Sequence, residues 1–314
     1  MAFPDGIVDA LDPTRLRLLV EVGRQGSISA AADVCRMGQP SATKHLQTLE
    51  VALQTKLLER NGRASRLTEA GEVVAAHAQR VLDTLEGMHE ELRALEGAER
   101  GTLSLAASTT PGSYVLPSLL QCFAERHPRV DVDVTIGSSA WVAERVARRE
   151  VAVGLAGEVD LPAGVVAEPW LEDEIVGIAA PGALPLRRGR VDAAGLADRT
   201  LLVRERGSST RAAAERFLAR AGCQFAKRWE LDSNEAIKRS VMAGLGVGFL
   251  SRLVVADELQ RGELVSFGVQ GEEPILRRIY LLRPDSRDPT PSERAFMQTL
   301  CECCAATVAG CISS

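Results

Sequence analysis

The sequence predicts an α/β protein in three parts: a small N-terminal helical domain ending in a β-hairpin, one long helix, and a larger domain. Three observations predict this arrangement. Short helical segments separated by turn residues occupy residues 13–70. An unbroken heptad pattern follows over residues 68–96. From residue 101 onward, apolar runs of strand length alternate with helical segments, as in α/β domains.

Composition sets the broad class of the protein. A length of 314 residues suits about two domains, and 46% apolar with 25% charged residues is ordinary for a globular protein. No apolar stretch approaches the ~18–20 residues of a membrane span, and residues 1–12 lack the pattern of an export signal. Seven cysteines form no regular disulfide pattern. We therefore expect a cytoplasmic protein with reduced thiols and no membrane partner.

Charge is spread unevenly along the chain. The net charge is −5, which argues against nucleic-acid binding along the whole chain. Between Arg15 and Ala70, however, nine basic residues stand against five acidic ones, and after Ala70 the balance is 28 basic to 34 acidic. Contacts with phosphates are therefore expected at the N-terminal end only.

The first domain is predicted to contain a helix-turn-helix. An amphipathic helix over residues 16–23 ends at a glycine, and Ser27 caps a second helix that stops near residues 36–38. Pro40 lies in the first turn of a third helix, where proline costs no hydrogen bond. Two short helices joined by a glycine-containing turn form this motif.

The third helix and the segment after it carry the side chains suited to DNA. Small polar residues near the helix N-terminus can hydrogen-bond base edges in the major groove. Asn61–Gly62 predicts a hairpin wing flanked by three arginines, which suit phosphates or the minor groove. The alternative is a small helical domain with an ordinary charged surface. A helix-turn-helix next to a hairpin with three arginines favours DNA binding over this alternative. The predicted DNA-binding residues are Ser29, Gln39, Pro40, Ser41, Thr43, Lys44, Gln47, Arg60, Arg63 and Arg66.

The long helix carries a narrow apolar stripe with alternating spacings of four and three residues. It comprises Val74, Ala78, Val81, Leu85, Met88, Leu92 and Leu95. A 3.5-residue repeat suits pairing with a second helix, whereas packing on its own domain fits so narrow a stripe less well. We predict that Val74, Val81, Leu85, Met88 and Leu92 mediate dimerisation.

The third part is predicted to be an α/β domain with mostly parallel sheets. Its strands are expected at 103–107, 132–136, 151–156, 176–180, 201–203, 247–250 and 279–282, and its helices at 116–126, 140–149, 211–221, 235–243 and 293–304. Ligands of such folds bind where strands end and helices begin.

An ordered set of motifs resembles the N-terminal signature of LysR-type transcriptional regulators. The matching residues are Ser27, Ala31, Ala32, Gln39–Pro40–Ser41, Leu49–Glu50, and the segments 57–60 and 67–71. Thr43, Leu58 and Gly38 depart mildly from the family pattern. The resemblance covers nearly the whole chain and implies a winged helix-turn-helix (1–70), a dimerising linker helix (71–97) and a two-lobed effector domain like the type 2 periplasmic binding proteins (101–314). Lobe I is expected at 101–170 and 283–314, and lobe II at 171–282.

Three stretches of the third part narrow the resemblance to one subgroup of the family. Residues 108–117, 204–211 and 243–248 look like the subgroup containing regulators of sulfite reductase, sulfur assimilation and Calvin-cycle carbon fixation. The resemblance implies a small anionic or phosphorylated effector, a homodimer or homotetramer, and double-stranded DNA as partner. RNA polymerase is a further candidate partner.

The residues of the third part independently predict an anion site. Hydroxyl side chains follow a strand and precede a helix in each half of the domain, where backbone N–H groups and the helix dipole attract negative charge. Plain helix capping is the alternative for either set alone; two sets facing one cleft favour binding. The predicted effector-binding residues are Ser108, Thr109, Thr110, Ser139, Gly207, Ser208, Ser209, Thr210 and Arg211.

Other chemistry is not indicated. The glycines of residues 244–248 lie in the wrong order for a dinucleotide site, and the C-terminal cysteines lack zinc-site spacing. We therefore expect no metal, no cofactor and no catalytic residue. The competing hypothesis is a small-anion solute-binding protein or an enzyme on the same two-lobed fold, which would need an export signal or a catalytic constellation.

Overall fold

The computed structural model describes residues 7–61, 64–95, 101–285 and 288–312, and the chain divides into two compact units, Met1–Ala98 and Glu99–Ser314. The first unit is helical with a two-stranded hairpin. Its elements are α1 (Ile7–Ala10), α2 (Pro13–Gln25), α3 (Ile28–Val34), α4 (Gln39–Ala52), β1 (Leu58–Asn61), β2 (Ala64–Leu67) and α5 (Glu69–Leu95). The helix-turn-helix and its wing are confirmed.

The first predicted helix is longer than expected. It continues through Gly23 and ends at Gly26, whose left-handed conformation (φ 65°) and N–H bond to the Val22 carbonyl close the helix. At the other end, the Asp12 carboxylate accepts from the backbone N–H groups of Thr14 and Arg15. The prediction of an end at Gly23 was wrong because a glycine within a helix can be tolerated when the following turn supplies a better cap.

The beginning of α5 packs against the core of the first unit, whereas its later part does not. The buried members of this core come from α2, α3 and α4, with Leu57 just before β1 and Ala78 of α5. Val74, Ala75 and Leu82 pack against this core, so the beginning of the predicted stripe is used within its own chain. Val81, Leu85, Met88 and Leu92 are exposed, and the side chain of Leu95 lies outside the described residues. The apolar side chains that remain exposed therefore belong to the later part of the stripe.

The second unit alternates strands and helices from Gly101 onward. Its elements are β3 (Gly101–Ser108), α6 (Thr109–Tyr114), α7 (Leu116–Arg126), β4 (Val130–Gly137), α8 (Ser139–Ala147), β5 (Val153–Gly157), β6 (Val165–Ala179), β7 (Arg190–Val191), a 3₁₀ turn (Ala193–Leu196), β8 (Thr200–Val203), α9 (Ser209–Arg220), β9 (Lys227–Glu230), α10 (Asn234–Met242), β10 (Val247–Ser251), α11 (Arg252–Gln260), β11 (Val265–Val269), β12 (Ile275–Pro284) and α12 (Pro291–Ile312). All seven predicted strands and five predicted helices overlap observed elements.

The sheet of the second unit combines parallel with antiparallel pairings, where mostly parallel ones were predicted. The strand order is β4-β3-β5-β12-β6-β10-β8-β9, with β11 against β6. The outer trios β4-β3-β5 and β10-β8-β9 are parallel, but β6 and β12 are antiparallel to each other and to their other neighbours. These two long strands run through both halves of the unit, and each spans one of the predicted lobe boundaries. Separate apolar clusters fill the two halves.

None of the described helices has both the length and the apolar character needed to cross a bilayer.

Candidate functional site

The first candidate surface is the N-terminal half of α4. Gly38 precedes the helix without a side-chain cap, and Pro40 occupies its first turn. The Thr43 hydroxyl donates to the Gln39 carbonyl at 3.0 Å, so its hydrogen is engaged while its lone pairs are free. Ser29, Gln39, Pro40, Ser41, Lys44 and Gln47 are exposed, and Thr43 is half-buried. Every predicted residue of this helix is therefore accessible to a partner.

The wing is held against α4 by Glu50, which the sequence analysis placed only in a motif. Its carboxylate accepts from the backbone N–H groups of Leu57 (2.9 Å) and Leu58 (3.3 Å) and pairs with Lys56 at 2.9 Å. Burial opposes ionisation of this carboxyl, but the hydrogen bonds outweigh it and lower its pKa. The carboxylate therefore fixes the chain where it leaves the helix and enters the wing.

The hairpin itself pairs β1 with β2 in antiparallel register, Leu58 opposite Leu67. Arg66 is exposed on β2. Arg63 and the side chain of Arg60 lie outside the described residues. The wing as an element is confirmed, while the arginine contacts remain a prediction.

The second candidate site is a buried cluster of hydroxyls around Arg277, in the second unit. The Nη1 atom of Arg277 donates to Ser209 Oγ at 3.0 Å and to Thr210 Oγ1 at 2.8 Å. Its Nη2 atom donates to Thr110 Oγ1 at 3.3 Å. Ser139 Oγ lies 3.1 Å from Ser209 Oγ. Four of the predicted hydroxyl residues, from three helices, are thus brought together around one guanidinium. We call these five residues the Arg277 cluster.

Arg277 is held by an ion pair across the two long strands. Asp173 on β6 is its register partner on β12, and the Asp173 carboxylate lies 2.7 Å from Arg277 Nε and Nη2. The other carboxylate oxygen accepts from Ser251 Oγ at 2.7 Å. Both charged side chains are at most 4% exposed. The pair therefore locks one side of the guanidinium and leaves Nη1 facing the hydroxyls.

A second buried arginine bridges the same region. Arg204, 2% exposed, donates from Nη2 to Thr109 Oγ1 at 3.0 Å and from Nη1 to Asn234 Oδ1, and it pairs with Glu205 at 2.7 Å. Within the described part of the chain, the Asn234 side-chain nitrogen is buried without a hydrogen-bond partner. Thr109 and Thr110 are neighbours in the sequence, and each accepts a hydrogen bond from a different arginine. Thr109 accepts from Arg204, and Thr110 accepts from Arg277.

Backbone geometry lets these groups approach one another. A Cβ at Gly157 would lie 2.0 Å from Ser209 Oγ, so only glycine permits β5 to pass the start of α9 at this distance. Gly207 has φ +83°, and its carbonyl accepts from the Ala140 N–H at 3.3 Å. Gly207 is therefore part of the frame of the Arg277 cluster.

Three predicted residues make no hydrogen bond with the Arg277 guanidinium in the structure. The Ser208 hydroxyl caps α9 by accepting from the Arg211 N–H. Ser108 precedes α6 without a side-chain cap bond. The Arg211 guanidinium, expected to serve as a ligand donor, pairs instead with Glu215 at 3.1 Å and Glu230 at 2.6 Å. Two carboxylates already engage it, and its role in effector binding stays a prediction.

Arg277, Asp173 and Arg204 were missed by the sequence analysis. One signal was available for Arg277, because it stands between Ile275 and Ile279 on the buried face of an alternating strand. A charged residue at such an inward position implies a buried partner. The identity of that partner depends on strand pairing over 104 residues, which local patterns do not contain.

Cysteine and metal chemistry have little support in the described residues. Burial raises the pKa of the Cys35 and Cys223 thiols, which makes them poorer nucleophiles. Cys301 is exposed, and the side chains of Cys303, Cys304 and Cys311 lie outside the described residues. Among the side chains that the structure describes, no group of three His, Cys, Asp or Glu is arranged to hold a metal ion.

Comparison with known proteins places both units in one family. Residues 13–72 match the bacterial regulatory helix-turn-helix proteins of the lysR family, and residues 96–304 match the LysR substrate binding domain. The RuBisCO operon transcriptional regulator of Acidithiobacillus ferrooxidans is 32% identical over 91% of this chain and 92% of its own length. This similarity confirms the predicted resemblance to the subgroup that contains regulators of sulfite reductase, sulfur assimilation and Calvin-cycle carbon fixation.

Solved structures agree with that assignment. The Synechocystis PCC6803 CcmR regulatory domain in complex with 2-PG is 29% identical, with a TM-score of 0.59, and the match covers 64% of this chain and 96% of that domain. A full-length OxyR variant from Pseudomonas aeruginosa (23% identical, TM-score 0.71) shows the same fold, with 93% of this chain and 94% of that chain covered. The relatives are regulators, so the competing solute-binding or enzymatic hypothesis loses its support. The chain therefore belongs to the LysR family and is a transcriptional regulator with a helix-turn-helix domain and an effector-binding domain.

Proposed function

We propose that the effector of this regulator is a small anion bound at the Arg277 cluster, and that its binding changes DNA binding or transcriptional activation. The observation that carries the proposal is the convergence of Ser209, Thr210 and Thr110 on one buried guanidinium. Thr110 comes from the first half of the domain, and the other two come from the second half. A ligand at this point contacts both halves.

The donors of the cluster suit an anion. Among the described residues, Arg277 Nη1 faces hydroxyl oxygens and no carboxylate, since Asp173 occupies Nε and Nη2. A hydroxyl can accept or donate, so the same hydroxyls can turn to donate when an anion takes their place at Nη1. The N-terminus of α9, a helix of 12 residues, adds a favourable dipole at Ser209 and Thr210. Neutral ligands would leave these donors poorly matched.

The relatives support a compact anion. The CcmR regulatory domain is 29% identical to this chain, and its structure is in complex with 2-PG. The Arg277–Asp173 pair has no net charge, so the site selects by hydrogen-bond donors more than by total charge. We infer one anionic headgroup at Arg277 Nη1, with the remainder of the effector directed toward Thr109 and Arg204.

Isothermal titration calorimetry of the full-length protein tests this assignment. The probes are 2-PG, sulfate, thiosulfate and inorganic phosphate, with glycerol as the neutral comparison. Ser209→Ala is expected to weaken binding of the best anion by about tenfold to a hundredfold, because one charge-assisted hydrogen bond is lost. The matched control is Thr299→Ala, which removes a buried hydroxyl that donates to the Ala295 carbonyl of its own helix, α12. Equal binding by wild type and Ser209→Ala would overturn the assignment.

We further propose the partners and boundaries that the sequence suggests. The exposed face of α4 and the wing arginines bind double-stranded DNA, and Val81, Leu85, Met88 and Leu92 pair with a second copy of α5 in a homodimer or homotetramer. Exposure of all four apolar side chains on one helix supports this pairing. We also propose that the protein contacts RNA polymerase and is cytoplasmic. The proposed domain boundaries lie at residues 70, 97 and 101.

A further inference from the structure

A cavity of about 240 Å³ lies within the second unit and shares no lining residue with the Arg277 cluster. Its wall includes Phe217, Phe249 and Phe267, each at most 5% exposed. The ring centroid of Phe249 lies 6.0 Å from that of Phe217 and 5.5 Å from that of Phe267. A cavity of this volume suits a molecule with one ring or one branched chain, since it is smaller than most pockets for drug-sized ligands.

The charged side chains at the rim of the cavity differ in their ion-pair and hydrogen-bond partners. Arg252 pairs with Glu174 at 2.6 Å. Arg190 Nη1 donates to the backbone carbonyls of Val269 and Glu272 at 3.0 and 2.7 Å, and no carboxylate of the described residues pairs with it. The carboxylate of Glu272 pairs with Arg220, outside the lining. The carboxylates of Glu174 and Glu272 therefore each pair with an arginine other than Arg190.

Two further rim residues, Arg188 and Glu273, make no ion pair or side-chain hydrogen bond within the described chain. Together with Arg190, the rim has two arginines without a carboxylate partner among the described residues and one such glutamate. The lining itself holds three arginines and three glutamates. With Arg220 counted beside the Glu272 that it neutralises, one positive charge is in excess at the cavity, which favours a ligand with a single negative charge.

The backbone holds Arg188 at the mouth in an unfavourable conformation. Arg187 and Arg190 exchange N–H to carbonyl hydrogen bonds (2.8 and 3.1 Å) around a two-residue turn. Arg188 has φ 51° and Gly189 has φ 74°, and asparagine is the residue that normally suits the first of these positions. The turn therefore fixes the Arg188 backbone at the edge of the cavity, in a conformation that asparagine adopts more readily than arginine.

We propose that this cavity is a second ligand site, for a small apolar monocarboxylate. The hydrocarbon body packs against the phenylalanine wall, and the carboxylate is bound by Arg188 with Arg190 beside it. The site is independent of the anion at the Arg277 cluster, because neither its residues nor its apolar wall are shared.

Calorimetry of the full-length protein with phenylacetate and cyclohexanecarboxylate tests the proposal. Phenethyl alcohol and phenethylamine are the neutral and cationic probes of similar shape. Saturable binding of the carboxylates is expected. Arg188→Asn, which suits the turn and so preserves the fold, should weaken it by about tenfold or more. Glu273→Gln should tighten it, because the competing carboxylate is removed.

Two control variants show whether binding depends on this cavity. Arg187→Asn removes a charge from the same turn at a residue outside the lining, and it should leave binding unchanged. Ser209→Ala should also leave it unchanged, whatever its effect on the anion of the proposed function. The proposal is overturned by absence of saturable binding up to about 10 mM, by equal binding of the alcohol or amine, or by wild-type affinity in Arg188→Asn.

Discussion

The two units place their candidate functional side chains in opposite environments. On α4, the residues predicted to face DNA are exposed or, for Thr43, half-buried, and they belong to one helix, so local sequence spacing is enough to find them. In the second unit, the hydroxyls and Arg277 are buried and come from segments 67 to 167 residues apart. A surface for a large partner can be built from one element, whereas a site that encloses a small molecule needs groups from several. Substitutions in each unit test whether this difference is real.

Arg277→Gln should have the largest effect, because it leaves Asp173 charged and unpaired in the interior. We expect a loss of about 3–5 kcal/mol in the free energy of unfolding. Chemical denaturation followed by circular dichroism measures it.

Asp173→Asn combined with Arg277→Gln should recover most of that loss, because no buried charge is then left alone. A single variant as stable as the wild type would mean that solvent reaches the pair. The buried character of the second site would then be wrong.

Leu85→Asp should disrupt association through α5. It places a charge in the proposed seam between two helices, at a cost on the order of several kcal/mol. Sedimentation should show the loss of one association step. Val73→Asp is the matched control, since Val73 is also exposed on α5 but lies outside the seam. Association unchanged by Leu85→Asp would show that the exposed stripe has another role.

Thr110→Ala and Ser208→Ala sharpen the comparison inside the second unit. Thr110 bonds Arg277, so its loss should abolish or strongly weaken the response to the effector. Ser208 caps α9, and its loss should cost about 0.5–2 kcal/mol of stability. From the sequence alone both residues were predicted to bind the effector. Effector titrations and thermal unfolding of both variants distinguish the two roles, and equal loss of response would favour a direct role for Ser208.

Arg63→Ala tests the predicted contact between the wing and DNA. We expect weaker binding to specific and random DNA alike, with the slope of log affinity against log salt reduced by about one. Fluorescence anisotropy over a salt series measures this. A change in sequence preference with an unchanged slope would assign Arg63 to base recognition instead.

Glu50 should give the smallest effect, visible as pH dependence. Its pKa is lowered in the folded protein, so its stabilising contribution is complete above the ordinary glutamate pKa and is lost as the pH falls through the lowered value. Glu50→Gln should therefore reduce the difference in unfolding free energy between neutral and acidic pH. The same pH dependence in both proteins would show that other carboxylates dominate.

Features that depend on nearby residues could be predicted from the sequence, whereas features that depend on residues far apart in the chain could not. The helix-turn-helix, the wing and the strand–helix alternation depend on spacing within a few residues, and they were found. The antiparallel β6–β12 pair depends on partners about a hundred residues apart, and it was missed. Ser209 and Thr210 were found because hydroxyls at a helix start are a local signal. Arg277 was missed because its meaning comes from Asp173.

The most direct test of the central claim compares DNA affinity with and without the effector in wild type and in the double variant Ser209→Ala/Thr210→Ala. Fluorescence anisotropy with DNA flanking the gene measures both quantities in one titration. We expect the double variant to bind DNA as the wild type does without effector, and to show no change when the effector is added at a concentration that saturates the wild type. An undiminished response in the double variant would contradict the assignment of the effector site.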